Sequence, residues 1–305
     1  MARAAAHERP SKTTCPVRNC EQVSASGSTM LRLVLRAVQF WIGSANGGGP
    51  VARRLDGKVA VISGAAAGIG QASAVRLAEE GARIVIADRE DAAETMQRVR
   101  NAGGQAEAIR CDVSDPGSVA GLQRQVEQSD GRCDILVNNA GIYPMQSFDE
   151  ITFEDWRRVL SVNLDSMFLM TKAFVGSMRE RRWGRIINVA SDTVSLVVPG
   201  FTHYIASKAG VIGLTRALAT EFGQDGITAN AIAPGQTRTP GTEGRKTIPG
   251  GMSQETFFEL IANMQAIKRV ETVADLVGVV AFLASDDAGF VTGQTLFVNG
   301  GLVRA

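Results

Sequence analysis

Tyr204 and Lys208 are the pair of residues whose types and spacing most directly indicate chemistry. They lie four positions apart at the start of a helix-like run, YIASKAGVIGLTRALATEF, so a helix would place them on one face. Tyrosine is a poor base at neutral pH because its ordinary pKa is about 10. A neighbouring ammonium group stabilises the phenolate. The pair therefore predicts a group that moves a proton near neutral pH, although unrelated surface residues often share this spacing.

Ser191 could complete a reaction centre with that pair. It directly follows the strand-like run RIINVA at 185–190. A hydroxyl at the carboxyl end of a strand can form a hydrogen bond with the oxygen of a reacting substrate. The alternative interpretation is that Ser191 only caps a turn or helix.

A glycine-rich run, SGAAAGIG at 63–70, indicates a phosphate-binding turn between a strand and a helix. Gly64 allows a tight turn, Gly68 allows the backbone to approach a pyrophosphate, and Gly70 allows close helix packing. The helix N-terminus would then offer free N–H groups to phosphates. A purely structural turn is the alternative.

Asp88 ends the second strand-like run, RIVIAD. A carboxylate at this place can accept hydrogen bonds from both hydroxyls of an adenosine ribose. It would also repel a 2′-phosphate, which carries about two negative charges. The sequence therefore predicts NAD rather than NADP as cofactor, and Arg89, the next residue, is the feature that could weaken this preference.

The elements that must position these residues follow a regular alternation from Leu55 onward. Short apolar runs alternate with amphipathic helical stretches, which predicts βαβ units, a parallel sheet covered on both faces, and a doubly wound Rossmann-type α/β fold. Ligands bind such sheets at the carboxyl ends of the strands. The predicted strands cover 58–63, 83–87, 106–111, 134–138, 185–190, 227–233 and 295–298.

Net charge and the numbers of histidines and cysteines limit the classes of ligand that we expect this protein to bind. The net charge is +1, which gives no reason to expect nucleic acid or an acidic membrane as a partner. Only His7 and His203 are histidines, and no C-x-x-C pair occurs among the four cysteines, so no metal site is predicted. Scattered cysteines are typical of free thiols in a reducing compartment, and the predicted location is the cytoplasm.

Residues 1–54 differ from the rest of the chain. They contain eight Lys/Arg residues but only two acidic residues, and they end near the run Gly47–Pro50, which is typical of a linker. We expect a disordered N-terminal extension followed by one domain at 55–305. An organellar transit peptide, or translation starting at Met30 or later, remains an alternative for this extension.

Taken together, these motifs resemble the short-chain dehydrogenase/reductase family over residues 55–305. The runs that carry the resemblance occur in the family's order and at its spacing. They are SGAAAGIG at 63–70, Asp88, CDV at 111–113, NNAG at 138–141, Asn163, Ser191, Tyr204 with Lys208, APG at 233–235, and ASDDAGFVTGQTLFVNGG near the end.

The resemblance implies a role for each matching residue. Tyr204 would be the general acid/base, Ser191 would orient the carbonyl or alkoxide, and Lys208 would bind the nicotinamide ribose and stabilise the phenolate. Asn163 would bend its helix and hold a water that relays protons to Lys208. The cofactor would be NAD, held by Tyr204, Lys208 and by Ser63, Gly64, Gly68, Ile69, Gly70, Asp88, Arg89, Asp112, Val113, Asn139, Gly141, Gly235, Thr237 and Thr239. Asn299 stands where the family usually has aspartate, a change expected to be structural only.

A substrate lid is expected at about 241–267, because this segment is amphipathic and follows Pro240. Some of its apolar residues would pack on the sheet instead. The expected pocket residues are Tyr143, Asp192, Thr193, Val198, Met252 and Phe257. Their mainly apolar character favours a hydrophobic or aromatic secondary alcohol and its ketone as substrate.

Other functions stay open at this point. Shorter runs such as NNAGIYP and MQAIKR are similar to parts of 1-phenylethanol dehydrogenases, pyridoxal 4-dehydrogenases and 3-oxoacyl-carrier-protein reductases. A catalytically silent protein that senses the dinucleotide is an alternative of another class, and it would be expected to have lost Tyr204 or Lys208. The resemblance further implies a homotetramer, with the helices around 153–181 and 204–222 at the main interface.

Overall fold

The computed structural model describes residues 53–244 and 251–304. The predicted N-terminal extension therefore lies outside the described residues, apart from its last two positions, and stays a prediction. Part of the expected lid, 245–250, also lies outside them.

Seven strands form one parallel sheet with the order β3-β2-β1-β4-β5-β6-β9. This confirms the predicted seven-stranded, doubly wound Rossmann-type fold. The strands are β1 (Val59–Ser63), β2 (Arg83–Asp88), β3 (Gln105–Arg110), β4 (Ile135–Asn138), β5 (Gly184–Val189), β6 (Ile227–Pro234) and β9 (Thr295–Val298). Two further strands, β7 (Thr237–Arg238) and β8 (Glu271–Thr272), pair with each other in a small second sheet.

The helices of the described residues are α1 (Gly68–Glu79), α2 (Ala93–Asn101), α3 (Pro116–Ser129), α4 (Phe153–Leu160), α5 (Ser166–Arg181), α6 (Thr202–Phe222), α7 (Pro240–Glu243), α8 (Gln254–Met264) and α9 (Val273–Ala284). Helices cover both faces of the main sheet, whereas α7 and α8 belong to the segment between β7 and β8. One layer of the core lies between the sheet and α1 with α9, and the other lies between the sheet and α3, α5 and α6.

Most residues of the central strands are apolar because helices cover these strands from both sides. Every residue of β1, β4, β5 and β6 is buried. Strand order reverses between β1 and β4, and parallel sheets leave a crevice at such a point, outside the carboxyl ends of the strands. The predicted site residues at the ends of β1, β2, β4 and β5 are thereby brought to one edge.

The helical stretch Phe153–Arg181 is not one regular helix. A π-helical turn, Ser161–Asp165, separates α4 from α5. By length and composition alone this stretch could cross a membrane, but Met167, Met170 and Phe174 on α5 are buried against the sheet. One such stretch is weak evidence for a membrane span, because the core helix of a soluble protein passes the same test.

Candidate active site

A cleft of about 570 Å³ opens at the carboxyl edge of the sheet. Its size is in the range of pockets that hold a ligand of cofactor size. It runs from the glycine-rich turn and the end of β2, past β4 and β5, to the segment that follows β6. Most of the predicted cofactor and substrate residues line this one cleft.

The glycine-rich turn takes the conformation that its glycines permit. Gly64 and Gly68 have φ values of +64° and +62°, which side chains other than glycine rarely adopt. A Cβ at Gly70 would collide with the Gly64 carbonyl oxygen, so this glycine allows α1 to pack against the turn. Gly64, Gly68 and Ile69 line the cleft at the N-terminus of α1, where backbone N–H groups favour a phosphate.

Ser63 and Asn139 join this turn to the loop after β4. The Ser63 hydroxyl oxygen accepts hydrogen bonds from the Asn139 and Ala140 N–H groups at 3.0 and 3.2 Å. The Asn139 side-chain amide donates to the Ser63 and Gly64 carbonyl oxygens at 3.0 and 2.7 Å. Ser63 and Gly70 lie behind the cleft wall rather than among its lining residues, so they shape the cofactor side indirectly.

Asp88 lies where a ribose would be recognised. Its Oδ2 accepts a hydrogen bond from the Ala66 N–H of the glycine-rich turn at 2.8 Å, and its Oδ1 accepts one from the Glu90 N–H at 3.1 Å. The carboxylate lines the cleft. The Arg89 guanidinium lies 3.7 Å from the Asp112 carboxylate, on the same rim.

Asp112 and Val113 form the cleft wall beyond β3. The Ser114 hydroxyl and N–H both donate to Asp112 Oδ1, at 2.6 and 3.0 Å. The Ser114 hydroxyl is the main reason that the pKa of Asp112 is lowered from its ordinary value. Val113 is buried and offers an apolar surface, which suits the adenine contact expected of this pair.

Lys208 lies beneath Tyr204, one turn along α6. Its Nζ is 5.8 Å from the centroid of the Tyr204 ring and donates to the Val189 carbonyl oxygen at 2.7 Å. Because the ammonium is buried, its pKa is lowered to about 8. The Tyr204 ring meets the rings of Tyr143 and Phe201 edge to face, with centroids 6.3 and 5.9 Å away. These contacts hold the tyrosine at the cleft wall.

Ser191 lies two residues after the end of β5, and the structure shows the capping role that was the alternative interpretation, while its role towards a substrate stays a prediction. Its hydroxyl caps the single turn Asp192–Val194 by accepting from the Thr193 N–H and hydroxyl at 3.3 and 2.9 Å. A serine hydroxyl that accepts hydrogen bonds still carries one hydrogen to donate. Ser191 lines the same cleft as Tyr204 and Lys208.

Asn163 is buried in the π-helical turn, behind the cleft wall. Its amide accepts from the Ile142 N–H at 2.8 Å and donates to the Ile142 carbonyl oxygen at 2.9 Å and to the Ser207 hydroxyl at 3.0 Å. A Cβ at Gly141 would lie 3.3 Å from Asn163 Oδ1 and 3.5 Å from Lys208 Nζ, so the three residues are close neighbours. The proton relay through a water at Asn163 stays a prediction.

The comparisons with known proteins agree with this geometry. A family profile described as enoyl-(acyl carrier protein) reductase matches residues 64–303. The 3-oxoacyl-acyl-carrier-protein reductase of Haemophilus influenzae is 39% identical over 249 residues, which cover 81% of this chain and 99% of that protein. The hydroxy(phenyl)methylsuccinyl-CoA dehydrogenase subunit BbsD of Thauera aromatica is 38% identical over 249 residues, covering 81% and 97%.

A solved structure from Beutenbergia cavernae, described as an NAD(P)-dependent gluconate 5-dehydrogenase with bound NADP, superposes with a TM-score of 0.75. It is 37% identical and covers 83% of this chain and 99% of its own. The chain belongs to the short-chain dehydrogenase/reductase family. It is accordingly an oxidoreductase that acts on CH–OH or keto groups with a nicotinamide dinucleotide.

The substrate end of this short-chain dehydrogenase/reductase contains five of the six predicted pocket residues, and Met252 is not among the lining residues. Phe201, which precedes α6, was missed because no motif marks it. The lining residues at this end are Tyr143, Asp192, Thr193, Leu196, Val198, Phe201, Phe257, Ile261 and Leu302. Phe258, in the expected lid, packs in the interior instead.

Two buried carboxylates near the segment after β6 were also missed as a pair. Asp192 was predicted only as a pocket residue, and Glu271 was not predicted at all. Burial is the main cause that raises the pKa of Asp192 to about 6 and that of Glu271 to about 7. In the sequence Glu271 lies between Val270 and Thr272 and belongs to no motif that we identified. Only the fold shows that it lies near the part of the cleft that would hold the cofactor.

The residues of this short-chain dehydrogenase/reductase fit the dinucleotide that the family uses. The left-handed glycines form a cradle without side chains, and the helix N-terminus faces the cleft. The Asp88 carboxylate stands at one end and the groups that can move a proton stand at the other. A bound dinucleotide would supply or accept the hydride.

Proposed function

We propose that this protein interconverts 3-hydroxyacyl and 3-oxoacyl thioesters, using a nicotinamide dinucleotide. The observation that carries the oxidoreductase chemistry is the convergence of Ser191, Tyr204 and Lys208 in a cleft that begins at the glycine-rich turn. The substrate class is supported by the relatives, because the Haemophilus enzyme is named for a 3-oxoacyl substrate and the Thauera enzyme for an acyl-CoA carrying a hydroxyl group. They favour this alternative over a simple aromatic alcohol.

In the proposed reaction Tyr204 exchanges the proton with the substrate oxygen. In the oxidative direction its phenolate takes the hydroxyl proton, and in the reductive direction its phenol returns a proton to the oxygen. Ser191 orients that oxygen by donating a hydrogen bond. Lys208 is buried, and its Nζ lies 5.8 Å from the centroid of the Tyr204 ring. In its charged ammonium form it stabilises the phenolate.

We further propose NAD as the preferred cofactor. The support is the Asp88 carboxylate, which lines the cleft at the end of β2 and would repel a 2′-phosphate. Arg89 could attract such a phosphate, but Asp112 lies 3.7 Å from its guanidinium and competes for it. Because the Beutenbergia structure contains bound NADP, the preference of this protein between NAD and NADP has to be measured.

An aromatic or hydrophobic secondary alcohol is the second candidate substrate. Phe201, Phe257 and Ile261 line the substrate end and give it an apolar surface. The Thauera relative is named for a substrate that carries a phenyl group beside its hydroxyl, so the two candidates share part of their chemistry. A pyridoxal-type aldehyde or alcohol belongs to the same test.

The experiment is a panel followed by the absorbance of the reduced dinucleotide. Purified protein is given NADH or NADPH with acetoacetyl-CoA, acetophenone or pyridoxal, and the reverse reactions with NAD or NADP. We expect the highest kcat/KM for acetoacetyl-CoA with NADH. A higher value for acetophenone would favour the second candidate, and binding of dinucleotide without turnover of any substrate would favour the silent sensor.

We also propose a homotetramer working in the cytoplasm. An apolar groove of about 530 Å³ between α5 and α6 is lined by Leu164, Phe168, Leu169 and Leu214, among others. Phe168 is 51% exposed there, which is unusual for a large apolar side chain beside a groove and favours cover by a second copy. Light scattering tests this assembly, and a monomer at micromolar concentration would contradict it.

A further inference from the structure

Glu271 is a buried glutamate that contacts the cleft wall from behind. It opens β8, which pairs with β7 through Thr237 and Glu271. Its side chain is almost completely buried, and it is absent from the residues that line the cleft. A buried carboxylate is costly unless its oxygens accept hydrogen bonds, so its partners indicate what it does.

Both oxygens of Glu271 accept from the segment that follows β6. Oε1 accepts from the Thr237 hydroxyl at 2.5 Å, and Oε2 accepts from the Gly235 N–H at 3.2 Å. Gly235 and Thr237 themselves line the cleft. One side chain thus holds two points of a wall segment whose strand pairing extends over only two residues.

The position is built for an acceptor on each oxygen. Both partners are donors, and a carboxylate is the side chain of this length that accepts at both oxygens, whereas glutamine accepts at one only. A Cβ at Gly235 would lie 2.8 Å from Glu271 Oε2, 3.0 Å from Asn299 Cβ and 3.3 Å from Asp192 Oδ2, so glycine allows the backbone to approach both carboxylates closely.

We propose that Glu271 is a positioning residue for the dinucleotide, which fixes Gly235 and Thr237 in the conformation that the cofactor-binding wall needs. This inference rests on the proposed function, in which the cleft binds a nicotinamide dinucleotide. Glu271 acts through its two partners and does not itself line the cleft.

The charges around Glu271 determine when it can act. Burial raises its pKa to about 7, and the carboxylates of Asp192 and Asp275 add to the increase. Arg269, two residues before β8, is bound to Asp275 by an ion pair of 2.5 Å. Asp192 has one amide neighbour, since Asn299 Nδ2 donates to its Oδ2 at 3.4 Å. The ionised form of Glu271 accepts from both donors, so we expect dinucleotide affinity to fall as the pH decreases through about 7.

The test measures dinucleotide affinity without any substrate. NADH and NADPH are titrated by fluorescence or calorimetry between pH 6 and 9 against the wild-type protein, Glu271→Gln, Asp192→Asn and Glu180→Gln. Glu180 is an exposed glutamate at the end of α5 that does not line the cleft, and it serves as the matched control. Melting temperatures show that each variant is folded.

We expect Glu271→Gln to weaken binding about tenfold at pH 8, the effect of losing one hydrogen bond to a charged group, and to flatten the pH dependence. Asp192→Asn removes a like charge, so the loss of affinity should move to lower pH. Glu180→Gln should match the wild type. Wild-type affinity and pH dependence in Glu271→Gln would overturn the inference.

A second pair of variants covers the case in which Glu271→Gln does not fold. Thr237→Val removes the hydroxyl donor from the other side of the same contact, and Glu271→Asp keeps a carboxylate on a shorter side chain. Weakened affinity in Glu271→Asp with an unchanged melting temperature supports positioning, because Glu271 does not line the cleft whereas Thr237 does. Unchanged affinity in Thr237→Val opposes it. If the wild-type protein binds neither dinucleotide, the proposed function itself fails. That result differs from wild-type binding that is left unchanged by the substitutions, which contradicts only the role of Glu271.

Discussion

The side-chain amide of Asn163 forms two hydrogen bonds with the backbone of Ile142, one to its N–H at 2.8 Å and one to its carbonyl oxygen at 2.9 Å. This pairing joins the π-helical turn to the loop after β4, in which a Cβ at Gly141 would lie 3.5 Å from Lys208 Nζ. The helix irregularity and the catalytic wall are therefore parts of one arrangement.

Asn163→Ala should destabilise the protein by about 1–3 kcal/mol, because Ile142 would lose both partners of a buried contact. Asn163→Asp should be no better, since its carboxylate could accept from the N–H but would face the carbonyl oxygen. Urea unfolding measures the first effect, and kcat of both variants shows whether the wall still functions. Wild-type stability in Asn163→Ala would contradict the importance of this contact.

Tyr204→Phe should reduce kcat by about 10²–10⁴-fold, the usual contribution of a general acid/base. The ring contacts with Tyr143 and Phe201 do not need the hydroxyl, so the melting temperature and dinucleotide affinity should stay close to wild type. Tyr143→Phe is a useful comparison because it removes the only other tyrosine hydroxyl, and its loss of kcat should be much smaller. Equal turnover by Tyr204→Phe and the wild type would remove Tyr204 from its assigned role.

Burial of Lys208 should make stability depend on pH. Its pKa is about 8 in the folded protein against an ordinary value of 10.5, so the unfolded chain binds more protons between these values. Stability linked to this group therefore rises with pH across that window. Relative to Lys208→Met, the wild type should gain about 3 kcal/mol in unfolding free energy between pH 7 and pH 11.

Urea unfolding of both proteins at several pH values measures this difference, since other titrating groups are common to both. A constant difference would show that Lys208 does not change its proton affinity on folding. Lys208→Met should also lose most of its activity at every pH, because no ammonium remains beside the phenolate.

Asp88→Ser should shift the cofactor preference towards NADP by at least about tenfold, because the carboxylate that would repel the 2′-phosphate is gone. The ratio of kcat/KM with the two cofactors measures the shift. Glu94→Gln, which removes an exposed carboxylate on α2 that does not line the cleft, should leave that ratio unaltered. A wild-type preference for NADP would contradict the assignment before any variant is made.

The strands and the reaction centre could be predicted because their signals are local. Continuous apolar runs mark strands that are buried on both faces, and glycines mark the turn between β1 and α1. As their spacing predicted, Tyr204 and Lys208 lie about one turn apart on α6. The doubly wound parallel sheet follows from the alternation of strands and helices and from the rule of right-handed crossovers.

The missed features depend on contacts between distant parts of the chain. Glu271 meets Thr237 across an intervening excursion that contains α7 and α8, and a lone glutamate in the sequence gives no sign of this. The π-helical turn at Asn163 lies inside a stretch predicted as one helix, because helical periodicity hardly changes over five residues. Ser63 was assigned to the cofactor, but its hydroxyl is used by the loop after β4.

The segment between β6 and β9 contributes to substrate binding and is separate from the groups that transfer protons. The groups that move protons stand on the buried strands and on α6, whereas Phe257 and Ile261 reach the cleft from α8. Substitutions on α8 can therefore alter which molecules are accepted while the proton-transfer groups keep their supports. Under natural selection or laboratory evolution, a new substrate specificity would be acquired in this part of the chain with the smallest risk to folding.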